Sequence, residues 1–271
     1  MPRNSRVPVE RSEGSQTVII SHKKCVGMYF YMGFFSNGTY LQSSVLTGIP
    51  HISHGFSRLA DGDMRQLPPV TAFAKKCGVA TPVFFPRQVH GNSIADNPIE
   101  GTQVDADGVF ARRGESYVKS IGVLTADCTP ILFADIHGSC IGAVHAGWKG
   151  TYSNIVGAML SKFEETGLPS ADIRVSVGPH IGGCCYSVPN ERIEILRDTY
   201  PFVQEYAYTE TGIWHLDIGK IIVSQLLGKG IERQHIDTRI FCTSCQTNQF
   251  FSYRKNTKEE FGEMAAIIGF T

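Results

Sequence analysis

The segment TADCTPILFADIHGSCIGAVHAGWKGT, residues 125–151, decides how this chain is read. Two apolar runs, PILFA and CIGAV, flank His137–Gly138, the pattern of a β-hairpin. The segment then turns through Gly-Trp-Lys-Gly, residues 147–150, into a stretch with helical spacing. Cys128 and His145 stand at the ends of apolar runs, and upstream His90 closes the β-rich run PVFFPRQVHG. A turn former follows each within a few residues: Gly91, Pro130 and Gly147. Strand ends on one sheet edge bring together side chains that are far apart in sequence. The pattern therefore admits one site assembled from His90, Cys128 and His145.

Two imidazoles and a thiolate suit zinc, whose catalytic sites take three protein ligands and leave a fourth position for water or substrate. No closely spaced CxxC…HxxxH pairs of a structural finger occur. The same residues also admit a plain reading, since a histidine near a strand end is commonly a surface or hydrogen-bonded polar group. Spacing alone leaves both readings open.

Outward from this segment, TVIISHKK and CVGMYFYMGFF (17–35) read as paired strands, and LTGIPHISHGFSRLADGD (46–63) as a punctuated loop region. LPPVTAFAKKC predicts a short helix closed by Gly78. DADGVFARR, SIGVLTADC, DTRIFCTSC, QFFSYRKN and EMAAIIGF predict strands, and DIRVSV another before the glycine-rich turn at 178–183. Helices are expected over TYSNIVGAMLSKFEETG, NERIEILRDTY and LDIGKIIVSQLLGKG, the last capped by Asp217 and stopped by Gly230. The fold class is thus α+β: one domain of large mixed β-sheets flanked by helices over residues 17–271, after a disordered tail at residues 1–16.

The bulk numbers narrow the function classes. The 271 residues carry 25 Lys plus Arg against 25 Asp plus Glu, so no net field favours nucleic acid or an anionic membrane. No apolar window reaches the roughly 18 residues that cross a bilayer. Eight cysteines without a secretion signal read as reduced thiols, which points to the cytosol. Cys184–Cys185 read as buried small apolar residues, and Cys242/Cys245 as a structural CxxC lacking a second ligand pair.

RQVHG, TADCTPILFAD, AVHAGWKGT, GPHIGGCCYSV and CTSCQTNQFFSYRKN occur here in an order that resembles the YfiH/YlmD-like family, once called multicopper polyphenol oxidoreductases or laccase-domain proteins. The resemblance covers about His54 to Phe270. It implies a zinc site in which Cys128, His90 and His145 are the ligands. It also implies phosphorolysis of purine nucleosides (adenosine, inosine, guanosine, methylthioadenosine) to base and ribose 1-phosphate, with adenosine deamination in some members.

The residues can be asked whether that chemistry fits. One thiolate and two neutral imidazoles leave Zn2+ cationic, as an electrophile at purine C6 requires. For phosphate, the start of the HAGWKGT helix offers Gly147 and Gly150 amides with Lys149 beside them, and Arg87 and His180 are expected near the reacting groups. Cys128, His90, His145 and Arg87 are thus the expected catalytic residues. Asp127 is expected to brace the loop, and Phe250, Phe251 and Tyr253 to alternate on a strand, mostly as core.

Departures from the family pattern fall outside the ligands. The loop after HGFS is short, Ser187 replaces a frequent acidic residue, and Phe261–Gly262–Glu263 stands where relatives often read Thr-Gly-Arg. Three other functions remain in play: copper-dependent phenol oxidation, a cysteine hydrolase using Cys128, and a non-catalytic zinc-binding protein. Copper is the less favoured metal, because the nine histidines include no HxH pair.

Overall fold

The computed structural model describes residues 35–36, 40–238, 241–257 and 259–271. The expected tail at 1–16 and nearly all of the strand pair at 17–35 lie outside them. Two sheets form the middle of the molecule. The first joins β1 (Phe35–Ser36), β2 (Leu41–Gln42), β3 (Ile52–Phe56), β6 (Ser120–Thr125) and β14 (Met264–Phe270) in the order β1-β2-β3-β14-β6. The second joins β4 (Ile94–Asp96), β5 (Gly108–Arg112), β7 (Thr129–Asp135), β8 (Cys140–Ala146), β9 (Ile173–Val177) and β13 (Ile236–Thr238) in the order β13-β9-β7-β8-β5-β4.

Alternation along the strands sets the layers. Val109, Ala111, Leu132, Ala134, Ile141 and Ala143 of the second sheet share one core with Phe56, Ile121, Val123, Ala266 and Ile268 of the first. The opposite face of the second sheet (Phe110, Ile131, Phe133, Val144) packs on α3 (Ile155–Glu164) and α5 (Ile218–Gly228). Ala265 and Ile267 on the outer face of the first sheet meet Val70, Phe73 and Cys77 of α1 (Leu67–Cys77). Strands buried on both faces explain why β7, β8 and β14 read as continuous apolar runs. Phe163 of α3 is fully buried against Phe110 and Phe133, so Phe163→Ala would cost about 3–5 kcal/mol. Beside α4 (Asn190–Thr199) lies a small sheet of β10 (Ser187–Val188), β12 (Ile213–Leu216) and β11 (Ala207–Glu210).

Local chemistry explains most boundaries. The β7–β8 hairpin turns at His137–Gly138, where the Asp135 carboxylate accepts from the amides of His137, Ser139 and Cys140. Asp217 caps α5 through the Lys220 amide, at 3.0 Å.

Four expectations are corrected. The helix predicted after Thr151 is two helices, α2 (Trp148–Tyr152) and α3, because Asn154 adopts φ 55° and its side chain caps the Gly157 amide. Residues 52–56, read as loop, form β3 against β14. PVFFPRQVHG makes only isolated bridges at Phe84 and Arg87, as Pro86 between them has no N–H to give a ladder. QFFSYRKN is a series of turns, in which Ser252 and Asn256 bond each other and the Arg254 amide bonds Asp127.

Candidate metal centre and ligand cavity

β6 ends at Thr125, β7 begins at Thr129 and β8 ends at Ala146 along one edge of the molecule. His145 alternates with Ile141 and Ala143, so it points to the inter-sheet side at that edge. Cys128 sits in the β6–β7 turn, and His90 in the loop before β4. One donor atom from each of His90, Cys128 and His145 lies within 4.8 Å of the others. The two rings are edge to face, with centroids 4.8 Å apart.

Two features hold this arrangement. Asp107, fully buried just ahead of β5, accepts the His145 Nδ1–H at 2.8 Å and the amides of His90 and Gly91 at 2.9 and 2.5 Å. One carboxylate therefore fixes the His145 tautomer, leaving Nε2 for a ligand, and clamps the loop that carries His90 at φ 60°. The second is Gly147, at which a Cβ would lie 3.2 Å from Cys128 Sγ and 3.3 Å from the His90 ring. The backbone closes the donor set from below, and a side chain there would press on two of the three donors.

The electrostatics follow. Burial opposes ionisation of Cys128, yet the His145 and His90 imidazoles beside it outweigh that and bring the thiol down to about 7. Burial likewise disfavours charge on His145, but Asp107 and then Cys128 raise it to about 9. The thiolate and imidazolium thus stabilise each other, and a divalent cation would take the proton's place between them.

The donors face a cavity of about 720 Å³, within the size range of small-molecule sites. Its wall includes Trp148, Tyr186, Arg192, Tyr253, Arg254 and Glu263. Arg192 stacks 4.5 Å over Trp148 and donates to the Tyr186 hydroxyl at 3.1 Å. Arg254 donates to the Ser187 hydroxyl at 2.8 Å. Burial raises the Glu263 carboxyl, with Arg65 pulling the other way. Asp127 also lines the cavity at φ 81°, its carboxylate bonding the Thr243 and Ser252 hydroxyls and the Arg254 amide. Those bonds fix the C-terminal wall to the β6–β7 turn.

Of the other residues expected at the site, only Gly147 lines this cavity. Arg87 is exposed and paired with Asp105. Lys149 points to solvent, since α2 turns it off the wall, and Gly150 is buried 2.8 Å (measured to a Cβ placed on it) from the Gly91 carbonyl. His180 is buried against Gly219, its Nδ1–H bonded to the Gly178 carbonyl. Asp107, Arg192, Arg254 and Glu263 escaped the sequence reading. Only Glu263 left a trace there, as a departure from Thr-Gly-Arg. Tyr253 is exposed and lines the cavity, while Phe250 and Phe251 are buried as core. No helix among the described residues is long and apolar enough to cross a membrane.

The comparisons with known proteins agree with this architecture. The family model described as multi-copper polyphenol oxidoreductase laccase matches residues 69–271. Purine nucleoside phosphorylase YlmD of Geobacillus stearothermophilus is 37% identical across 67% of this chain and 70% of its own. Adenosine deaminase RL5, from an unknown prokaryotic organism, is 27% identical across 73% and 79%. The crystal structure of the Bacillus licheniformis hypothetical protein YfiH superposes with a TM-score of 0.76 at 26% identity, over 88% of this chain and 99% of that one. The solved YlmD of G. stearothermophilus gives 0.74 at 25%, over 89% and 99%. With the fold, the ordered motifs and the family model in agreement, the chain belongs to the multi-copper polyphenol oxidoreductase laccase family, the YfiH/YlmD-like proteins.

Proposed function

We propose that the protein is a zinc-dependent purine nucleoside phosphorylase that also deaminates adenosine, with His90, Cys128 and His145 as the metal ligands. The observation that carries this reading is the position of the three donors, on the floor of a nucleoside-sized cavity walled by two arginines and several aromatic rings. The relatives' names, purine nucleoside phosphorylase and adenosine deaminase, support it. One thiolate with two imidazoles, one of them oriented by a carboxylate, is a donor set zinc accepts. Zinc bound there supplies Lewis-acid activation of water, the chemistry that deamination at purine C6 needs.

The chain's own groups serve phosphorolysis. In that reaction a phosphate oxygen bonds to C1′ of the ribose as the C1′–N9 bond breaks, and the electron pair leaves with the purine, which takes up a proton. Arg192 and Arg254 carry permanent charge into the cavity. Arg254 bonds a neutral hydroxyl at Ser187, so its charge stays available to phosphate. These two arginines replace Lys149 and Arg87 in the proposed phosphate role. Tyr186, Tyr253 and Trp148 offer faces for a base. Glu263 lines the same wall, and in this reading it is the group through which a proton reaches the departing purine.

Copper oxidation is the weaker reading. Among the described residues the second cluster able to hold a metal is four thiols with no imidazole, a set that does not complete a blue or multinuclear copper centre. The test is to incubate the metal-assayed protein with adenosine and phosphate. Adenine with ribose 1-phosphate, and inosine, are expected. Cys128→Ser should remove both products together with the metal. A fully metallated protein that yields neither product would overturn the reading. Turnover that survives with no bound metal would favour the cysteine-hydrolase alternative.

A further inference from the structure

We propose that Cys184, Cys185, Cys242 and Cys245 form a second metal site, a tetrathiolate that takes zinc and staples the loop leading into α4, which bears Arg192, to the loop leading to Arg254. The four sulfurs lie within 4.8 Å of one another. Cys245 Sγ is 3.5 Å from Cys184 Sγ and 3.3 Å from Cys185 Sγ. These separations far exceed a disulfide bond of about 2.05 Å. They approach the edge of about 3.8 Å that a tetrahedron with Zn–S bonds of about 2.3 Å requires. The CxxC read from the sequence as lacking a partner has one after all: the vicinal pair 57 residues upstream, counted from Cys185 to Cys242. This also corrects the reading of Cys184 and Cys185 as buried apolar residues, since both are half-exposed at the cluster.

The backbone around the cluster is shaped for sulfur. The Gly182 amide donates to Cys242 Sγ at 3.2 Å, a bond that favours thiolate. A Cβ at Gly182 would lie 3.3 Å from Cys184 Sγ and 3.4 Å from Cys242 Cβ, so the glycine leaves the space the sulfurs share. A bridge between His180 and Cys242 sets the two loops side by side. Turns at Cys185–Gly182 and Cys245–Cys242 then direct the two pairs inward. Four sulfur donors in closed tetrahedral coordination are the pattern of a structural zinc site.

Its effect reaches the cavity. Cys185 is followed by Tyr186 and Ser187, and Cys245 leads to Tyr253 and Arg254. A metal there fixes the distance between the Arg192 and Arg254 sides of the wall without touching substrate.

The test is zinc stoichiometry, measured by mass spectrometry of the metal in the full-length chain purified under reductant from zinc-supplemented cells. Two equivalents are expected in the wild type. His90→Ala/Cys128→Ser should keep one, which separates this site from the His–Cys–His centre. Cys242→Ser/Cys245→Ser should lose one, and Cys245→His, which restores a donor, should recover it. Cobalt(II) loaded into folded His90→Ala/Cys128→Ser protein should show the intense visible bands and sulfur-to-metal charge transfer of a tetrathiolate. That readout does not depend on the Cys242 and Cys245 variants folding. A folded His90→Ala/Cys128→Ser protein that holds neither zinc nor cobalt would overturn the proposal, as would a wild-type complement that Cys242→Ser/Cys245→Ser leaves unchanged.

Discussion

Asp107→Asn separates a designed metal support from a merely buried acid. The carboxylate presents Oδ1 to His145 Nδ1–H and the His90 amide, and Oδ2 to the amides of Gly91 and Val89. An amide has only one oxygen, so either orientation turns an NH2 onto two N–H donors. With Oδ1 lost, His145 accepts at Nδ1 and moves its proton to Nε2, the nitrogen a metal needs. With Oδ2 lost, the loop that carries His90 loses its anchor, and a buried donor left unsatisfied costs about 1–3 kcal/mol. Loss of such a supporting partner weakens metal binding about 10–100-fold, or about 1.4–2.8 kcal/mol. Competition with a chromophoric chelator at fixed neutral pH measures this, and circular dichroism reports the fold. A folded variant whose zinc affinity stays within threefold of wild type refutes the assignment of Asp107 as the group that orients His145 and His90.

Two further outcomes follow from the packing. Gly147→Ala places a methyl 3.2 Å from Cys128 Sγ, so it should cost about 1–3 kcal/mol of overpacking and weaken metal uptake; unchanged uptake would show that the glycine is not a close-approach position. Burial pushes His54 down to about 4, and its Nε2 accepts the Ser43 amide at 2.9 Å, a bond that only the neutral ring can make. Between pH 6.5 and about 4 the unfolded chain's His54 binds a proton that the folded chain refuses. It therefore contributes about 3 kcal/mol of stability above pH 6.5 that is lost on acidification. Urea titrations at neutral and acid pH should show this slope flattened in His54→Gln, and an identical slope in the variant would contradict it.

What the sequence discloses follows the range of the interaction. The 129–146 hairpin is readable because turn residues and apolar runs lie side by side, and the Asp217 cap because a cap acts within three residues. His90, Cys128 and His145 are readable as chemically able residues at run ends. Their convergence is a matter of how β6, β7 and β8 align, and no local pattern dictates that alignment. Asp107 looks like one acid of the DADG turn, because its partners are 16–38 residues away. Arg192 sits on a helix whose pattern announces only amphipathicity, and Arg254 in a run whose alternation suggests a strand. There the Asp127 carboxylate, 127 residues earlier, outcompetes the sheet for the backbone. The break at Asn154 leaves no sign because helical spacing continues across it on both sides.

β14 lies between β3 and β6 and hydrogen-bonds along both of its edges, although it comes from residues 264–270. During synthesis the two strands that will flank it emerge long before it does, each with an edge lacking its neighbour. Those edges are open to pairing with other nascent chains until the ribosome delivers this late segment. Glu263 arrives immediately ahead of it, so the last part of the cavity wall is installed in the same step that completes the sheet.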